Sequence, residues 1–272
     1  MKAYWSLFVA RFALLLQYRT AALAGIATQL FWGFVKVMVL EAFYTHATST
    51  QPMTFQEAVG YVWLGQAFLI ALVPWGGDRE IQDLIRSGAV GYDLLRPTDL
   101  YSFWFTRALA LRTAPLILRA LPLLIVTIFL FPVIGLSNWL LSFPPSLASF
   151  GAFFLSFIGA ILLSSALTML LTVSMMWTLS GEGINSVIPT LVIICSGMVV
   201  PLPLFPEWIK PFLNVLPFSG LIDQPFRLFI GNLPPSALFN VLLHQVFWIV
   251  LIVSLGRFLV NRGVSKLVIQ GG

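Results

Sequence analysis

Long apolar runs separated by short polar intervals set the pattern of this chain. A helix needs roughly 20 mostly apolar residues to cross about 30 Å of hydrocarbon. Six stretches approach or exceed that length: residues 21–43, 58–75, 114–134, 147–177, 187–204 and 237–260. The fourth is long enough to tilt or to extend past the bilayer. The pattern predicts an all-α, polytopic membrane protein with six spans, organised as one domain over residues 1–272.

Three intervals are more than loops. Residues 1–20 mix apolar side chains with Lys2, Arg11 and Arg19. The arginines interrupt the apolar core that a secretory signal needs, so an uncleaved amphipathic helix along the inner membrane surface is expected. Residues 76–100 begin GGDREIQDLIRSGAVGYDLLRP. Here Ile81, Leu84 and Ile85 form one apolar stripe at helical spacing, and Arg79 and Asp83 are placed for an i,i+4 pair on another face. Gly88 and Gly91 end the pattern, and Pro97 blocks continuation through Arg96. Such a stripe rests on lipid headgroups or fits a groove on a soluble partner. Residues 201–235 carry Pro201, Pro203, Pro206, Pro211, Pro217 and Pro225, which predict short broken helices, with Trp208 and Phe212 as headgroup anchors.

Composition supports lipid as the main solvent. Hydrophobic residues make up 59% and charged residues 9%, whereas a soluble domain needs about 25% charge to wet its surface. The net charge of +5 does not point to nucleic acid, because the basic residues sit at the ends of apolar runs. Lys and Arg are absent between Lys36 and Arg79, whereas Arg79, Arg86, Arg96, Arg107 and Arg112 crowd the next connection. With six spans this connection, the basic start and the segment with Arg257, Arg262 and Lys266 share one side, which the positive-inside rule makes cytoplasmic. Both termini are then inside, and Lys210 and Arg227 are the exceptions outside. Cys195 is the only cysteine, so an internal disulfide or a cysteine metal site is excluded, and no metal site is expected.

Polar groups within spans are few. Ser164, Thr168 and Thr172 follow at i, i+4 and i+8, a stripe that serves close helix packing or lines a pathway. Lys36 and Glu41 are placed to snorkel outward and Arg119 inward. His244 and Gln245 lie deeper in the sixth span, as a packed polar pair or a substrate or proton contact.

Taken together, IRSG and LLRP at Leu94 to Pro97, the run SGMVVPLPLFPEWIKPFLNVLPF from Ser196 to Phe218, the tail VIQGG from Val268 to Gly272 and the N-terminal segment resemble the permeases of ABC-2-type transporters. The resemblance covers nearly the whole chain, and LLRP with the QGG tail is similar to a bacterial six-span subfamily. It implies a fold like that of lipid and drug exporters, with Asp78, Arg79, Glu80, Ile81, Asp83, Leu84, Ile85 and Arg86 as an ATPase-coupling helix. Pro201, Pro203, Pro206 and Trp208 would form an external gate. It also implies two copies of a separate ATP-binding subunit, a second permease subunit, identical or different, and a bacterial inner membrane. The chain has no G-x-x-x-x-G-K-[ST] loop, so ATP and Mg are expected on the partner and no cofactor on this chain. Export of an amphiphilic substrate (lipid-like, drug-like or glycan) is the leading expectation, with membrane lipid as a further partner. An ion- or proton-coupled secondary transporter is the alternative, but no Asp or Glu occupies the middle of a span and no internal repeat is evident. An intramembrane enzyme is disfavoured by the lack of HExxH or paired carboxylates within a span.

Overall fold

The computed structural model describes residues 2–178 and 182–264, with backbone alone for residues 182 and 184. Every regular element among them is helical. In chain order these are α1 (Lys2–Leu15), α2 (Arg19–His46), α3 (Phe55–Leu72), α4 (Arg79–Arg86), α5 (Leu100–Val133), α6 (Leu147–Ser174), α7 (Glu182–Cys195), α8 (Lys210–Val215), α9 (Gln224–Ile230) and α10 (Leu238–Val264). The VIQGG tail and Lys266 lie outside the described residues.

Five helices, α2, α3, α5, α6 and α10, are long and apolar enough to cross a membrane. In the apolar stretches of α3 and α6, 72% of residues are buried, against 17% in α2 and α10. The first pair is therefore the centre of the bundle, and the second pair offers an apolar outer face to lipid. Close approach is built in where a side chain is missing. Trp63 of α3 fills the space beside Gly33 of α2, and Gln245 of α10 fills the space beside Gly159 of α6.

The fifth expected span is shorter than its hydropathy implied. Helix α7 runs for 14 residues and stops where Gly197 takes a left-handed φ of 90°, ahead of Pro201 and Pro203. A helix cannot continue through that combination. It still joins the two ends of the bundle. Just before it, Met176 packs against Gly263 of α10, whereas just after it Gly197 meets Tyr61 and Met198 accepts a 3.0 Å hydrogen bond from Lys36. Lys36 thus turns inward onto a carbonyl rather than outward to headgroups.

The third span starts earlier than expected. Asp99 caps its first turn, accepting from the Ser102 amide at 2.8 Å, and the helix runs from Leu100 through Arg107 and Arg112. Wide i→i+5 turns at Leu116–Ala120 and Val126–Leu130 let it pass Pro122 and Pro132, which lack the amides that ordinary turns use.

Helix α1 lies against the base of α5, where Tyr4 Oη accepts from the Asp99 amide. Its outward face carries Trp5, Val9 and Leu14, so it is apolar on both sides rather than amphipathic, and its polarity is confined to Lys2, Ser6 and Arg11. One end of the bundle gathers α1, residues 73–99 and the C-terminal ends of α6 and α10; we call it the basic end. The opposite end gathers residues 47–54, 135–146 and the proline-rich segment, joined by Asn232 to Pro52 (3.2 Å) and Gln56 to Ser142 (3.1 Å).

Candidate functional site

The polar stretch after α3 folds into a short helix, as its periodicity predicts. Asp78 caps α4 by accepting from the Glu80 amide at 3.1 Å, and Gly88 takes the left-handed turn that follows it (φ 73°). The stripe faces inward. Ile81 and Ile85 are buried, with Leu84 half-buried, in a cluster with Tyr101 and Trp104 of α5 and Met169 and Val173 of α6. A stripe at period 3.6 demands burial but does not say against what; here the chain supplies its own groove, so these residues are not available to a partner. The Arg79–Asp83 pair does not form either. Asp83 instead pairs loosely with Arg86 at 3.7 Å.

A four-residue clamp holds α4 in place. Arg11 of α1 donates to Asp78 at 2.8 Å and to Glu80 at 2.9 Å. Arg107 of α5 donates to the same two carboxylates, at 2.7 Å each. Burial, the largest influence, pushes the Asp78 carboxyl above its ordinary value, with Glu80 adding to the shift. Arg11 and the Glu80 and Ile81 amides pull the other way. For Asp99, burial is opposed and overcome by the Ser102 hydroxyl and amide, which hold its carboxyl below the usual range.

Past α4, Asp93 is buried and accepts from Trp104 Nε1 at 3.0 Å while pairing with Arg96 at 3.1 Å. Arg96 folds back over the Phe103 ring, 4.8 Å from its centre. This anchoring turns Tyr92, Leu94 and Leu95 outward; Leu95 is 83% exposed. The outer surface of this region is therefore Arg79, Asp83 and Arg86 beside an apolar patch from the LLRP motif.

A second arginine joins this region to the spans. Arg112 is 2% exposed and donates to the carbonyls of Ile70 (3.2 Å), Val73 (2.8 Å) and Gly76 (2.9 Å) and to Thr168 Oγ1 (3.0 Å). Ser164 donates to the Ala71 and Leu72 carbonyls at 3.1 and 2.8 Å. A helix leaves its last carbonyls without partners, and in lipid no water supplies them. The Ser164–Thr168 edge and Arg112 serve as the C-terminal cap of α3. Thr172 bonds back to its own helix and sits where any side chain at Gly77 would collide. All three stripe residues are buried inside the subunit.

At the opposite end, Pro201 and Pro203 are buried while Pro206 and Trp208 are exposed, so the four expected gate residues do not share one environment. Their anchor is Asp223, which hydropathy alone does not single out. Asp223 is wholly buried and accepts from Tyr61 of α3 (3.1 Å), the Leu202 amide (3.2 Å) and Arg227 (3.3 Å). The D-x-x-x-R spacing of Asp223 and Arg227 was the available signal. Gln245 is buried and donates to the carbonyls of Ser156 (2.8 Å) and Gly220 (2.7 Å). His244 reaches the Val215 carbonyl at 3.3 Å. Both tie the broken segment to the bundle.

These features form a helical bundle with a rigidly clamped polar block at one end and a proline-broken segment pinned into the other. No curated protein matches the chain. A family model described as "ABC-2 family transporter protein" matches residues 30–271, taking in the clamped block, the capped α3 and the pinned segment. The chain belongs to the ABC-2 family of transporter proteins and is a membrane permease of that family.

Proposed function

We propose that this chain is one of two permease subunits, identical or different, of an exporter driven by two copies of a separate ATPase that carries the ATP and Mg. The observation that carries the reading is the clamp: residues 78–97 are fixed by Arg11, Arg107 and Trp104 to α1 and α5, and just before them Arg112 ties α5 to the end of α3. A motor moves only what it grips, and a block fastened to two spans passes displacement on where a loose loop absorbs it. The surface offered to the motor is the exposed set Arg79, Asp83, Arg86, Tyr92, Leu94 and Leu95, not the Ile81–Ile85 stripe. An apolar centre with charges at its rim suits a protein partner.

On this reading the basic end is cytoplasmic, both termini are inside a bacterial inner membrane, and the Pro201–Pro206 segment closes the outward end for an amphiphilic lipid-like, drug-like or glycan cargo. Ion coupling is the weaker reading, because the buried carboxyl of Asp223 is already paired with Arg227.

The test is to purify the chain from its native membrane and identify the chains that accompany it, with Leu95→Asp alongside. Because Leu95 is exposed, its replacement leaves the thermal midpoint within a degree or two, about the scatter of surface substitutions. Recovery of the ATPase and transport-linked hydrolysis are expected to fall about tenfold or more, as for loss of a central contact. An ATPase that stays bound and active with Leu95→Asp overturns the docking assignment.

A further inference from the structure

A cavity of about 500 Å³ opens at the basic end between the α1–α2 elbow, the end of α3 and the middle of α5. Three arginines, Arg79, Arg112 and Arg119, line it, and no carboxylate does. Among the described residues none of the three has an ion-pair partner. Arg112 is held by carbonyls, which satisfy its hydrogens but leave its charge uncompensated. Arg119 reaches the Ala21 carbonyl at 3.3 Å. Its guanidinium lies flat over Gly25 of α2, where a Cβ would come within 2.6 Å of it. Three like charges around one half-enclosed space repel one another unless an anion sits between them.

The rest of the lining says what kind of anion. Leu15, Ile70 and Leu118 give it apolar walls, and Tyr18 and Trp75 line it while remaining exposed, the residue types that settle at headgroup level. The cavity spans the first turn of α2 and the last turn of α3, where the apolar spans begin. Beside it, Leu23, Ile117 and Leu121 are 66%, 48% and 53% exposed and extend an apolar surface along the bilayer. We infer that this cavity binds the phosphate-bearing headgroup of an anionic membrane amphiphile, with its acyl chains against α2 and α5. Guanidinium forks match phosphate oxygens in pairs, and the volume lies within the usual range for ligand sites. The inference requires the chain to lie in a membrane but does not depend on the ATPase.

The experiment uses the purified full chain in an uncharged detergent, followed by tryptophan fluorescence and thermal midpoint. It is titrated with dioctanoyl phosphatidylglycerol, with dioctanoylglycerol, which has the same chains and no phosphate, and with inorganic phosphate. Phosphatidylglycerol is expected to bind about tenfold or more tighter than either of the others, the advantage of a charged fork with apolar support. Arg79→Gln with Arg119→Gln removes most of that preference, whereas Arg79→Lys with Arg119→Lys, which keeps the charge, retains part of it. Equal affinity for dioctanoylglycerol overturns the site. So does a Gln pair that binds as the parent does, or a folded Lys pair no better than the Gln pair. Inorganic phosphate binding as tightly as the lipid overturns the membrane source and assigns the cavity to a soluble anion.

Discussion

Arg112→Leu is expected to lower the stability of the protein by about 3–5 kcal/mol, the cost of stripping a buried charged partner from the groups it satisfies. Leucine fills much of the volume, so the loss is not a cavity effect. It comes from the Ile70, Val73 and Gly76 carbonyls, which Arg112 reaches at 2.8–3.2 Å; Val73 is fully buried, so its carbonyl in particular has no water to replace the lost donor. Arg112→Lys should recover only part, because an ammonium cannot span several diverging carbonyls as a planar fork does. Thermal unfolding in detergent reads the effect as a fall of about 10 °C, with faster proteolysis in residues 73–88. An unchanged midpoint would mean that the end of α3 has another cap.

Asp223→Ala should be comparably severe, at about 3–5 kcal/mol, since it leaves the Tyr61 phenol and the Leu202 amide buried without their acceptor and takes the counter-charge from Arg227, which keeps its bond to Asn232. Asp223→Asn keeps an acceptor of the same shape and should fall between Ala and the parent. The distinguishing readout is local. In a Cys195→Ala background, Pro203→Cys is buried beside Leu202, and maleimide labelling of it should accelerate when Asp223 is removed. Labelling as slow as in the parent would show that Asp223 does not pin the segment.

What the sequence made legible follows from what hydropathy measures. Spans one, two, four and six are apolar runs with few polar interruptions, and their helices fall close to the expected limits. The third was started 14 residues late, because Arg107 and Arg112 read as charges of a loop; both are buried in helix, one in the clamp and one in the cap. The fifth was carried past Cys195 because Met198, Val199 and Val200 are apolar, although Gly197 had already turned the chain. Helix α4 was recognised by its stripe, its glycines and Pro97. Its groove was not, because periodicity fixes a face and not a partner. The pairing of Ser164 with α3 and of Thr168 with Arg112 is visible only as two hydroxyls at i,i+4; which carbonyls need capping depends on where Pro74 ends α3. Asp223 was hidden in a segment read as external, where a carboxylate needs no explanation.

The shortness of α7 bears on the lipid around it. Fourteen helical residues span about 21 Å at 1.5 Å per residue, less than the roughly 30 Å of a bilayer's hydrocarbon. Acyl chains beside Val199 and Val200, the exposed residues just past the Gly197 turn, must compress or splay to meet it. Hydrophobic mismatch is thus concentrated at one place on the perimeter, and membranes of different thickness will act on this permease chiefly through that notch.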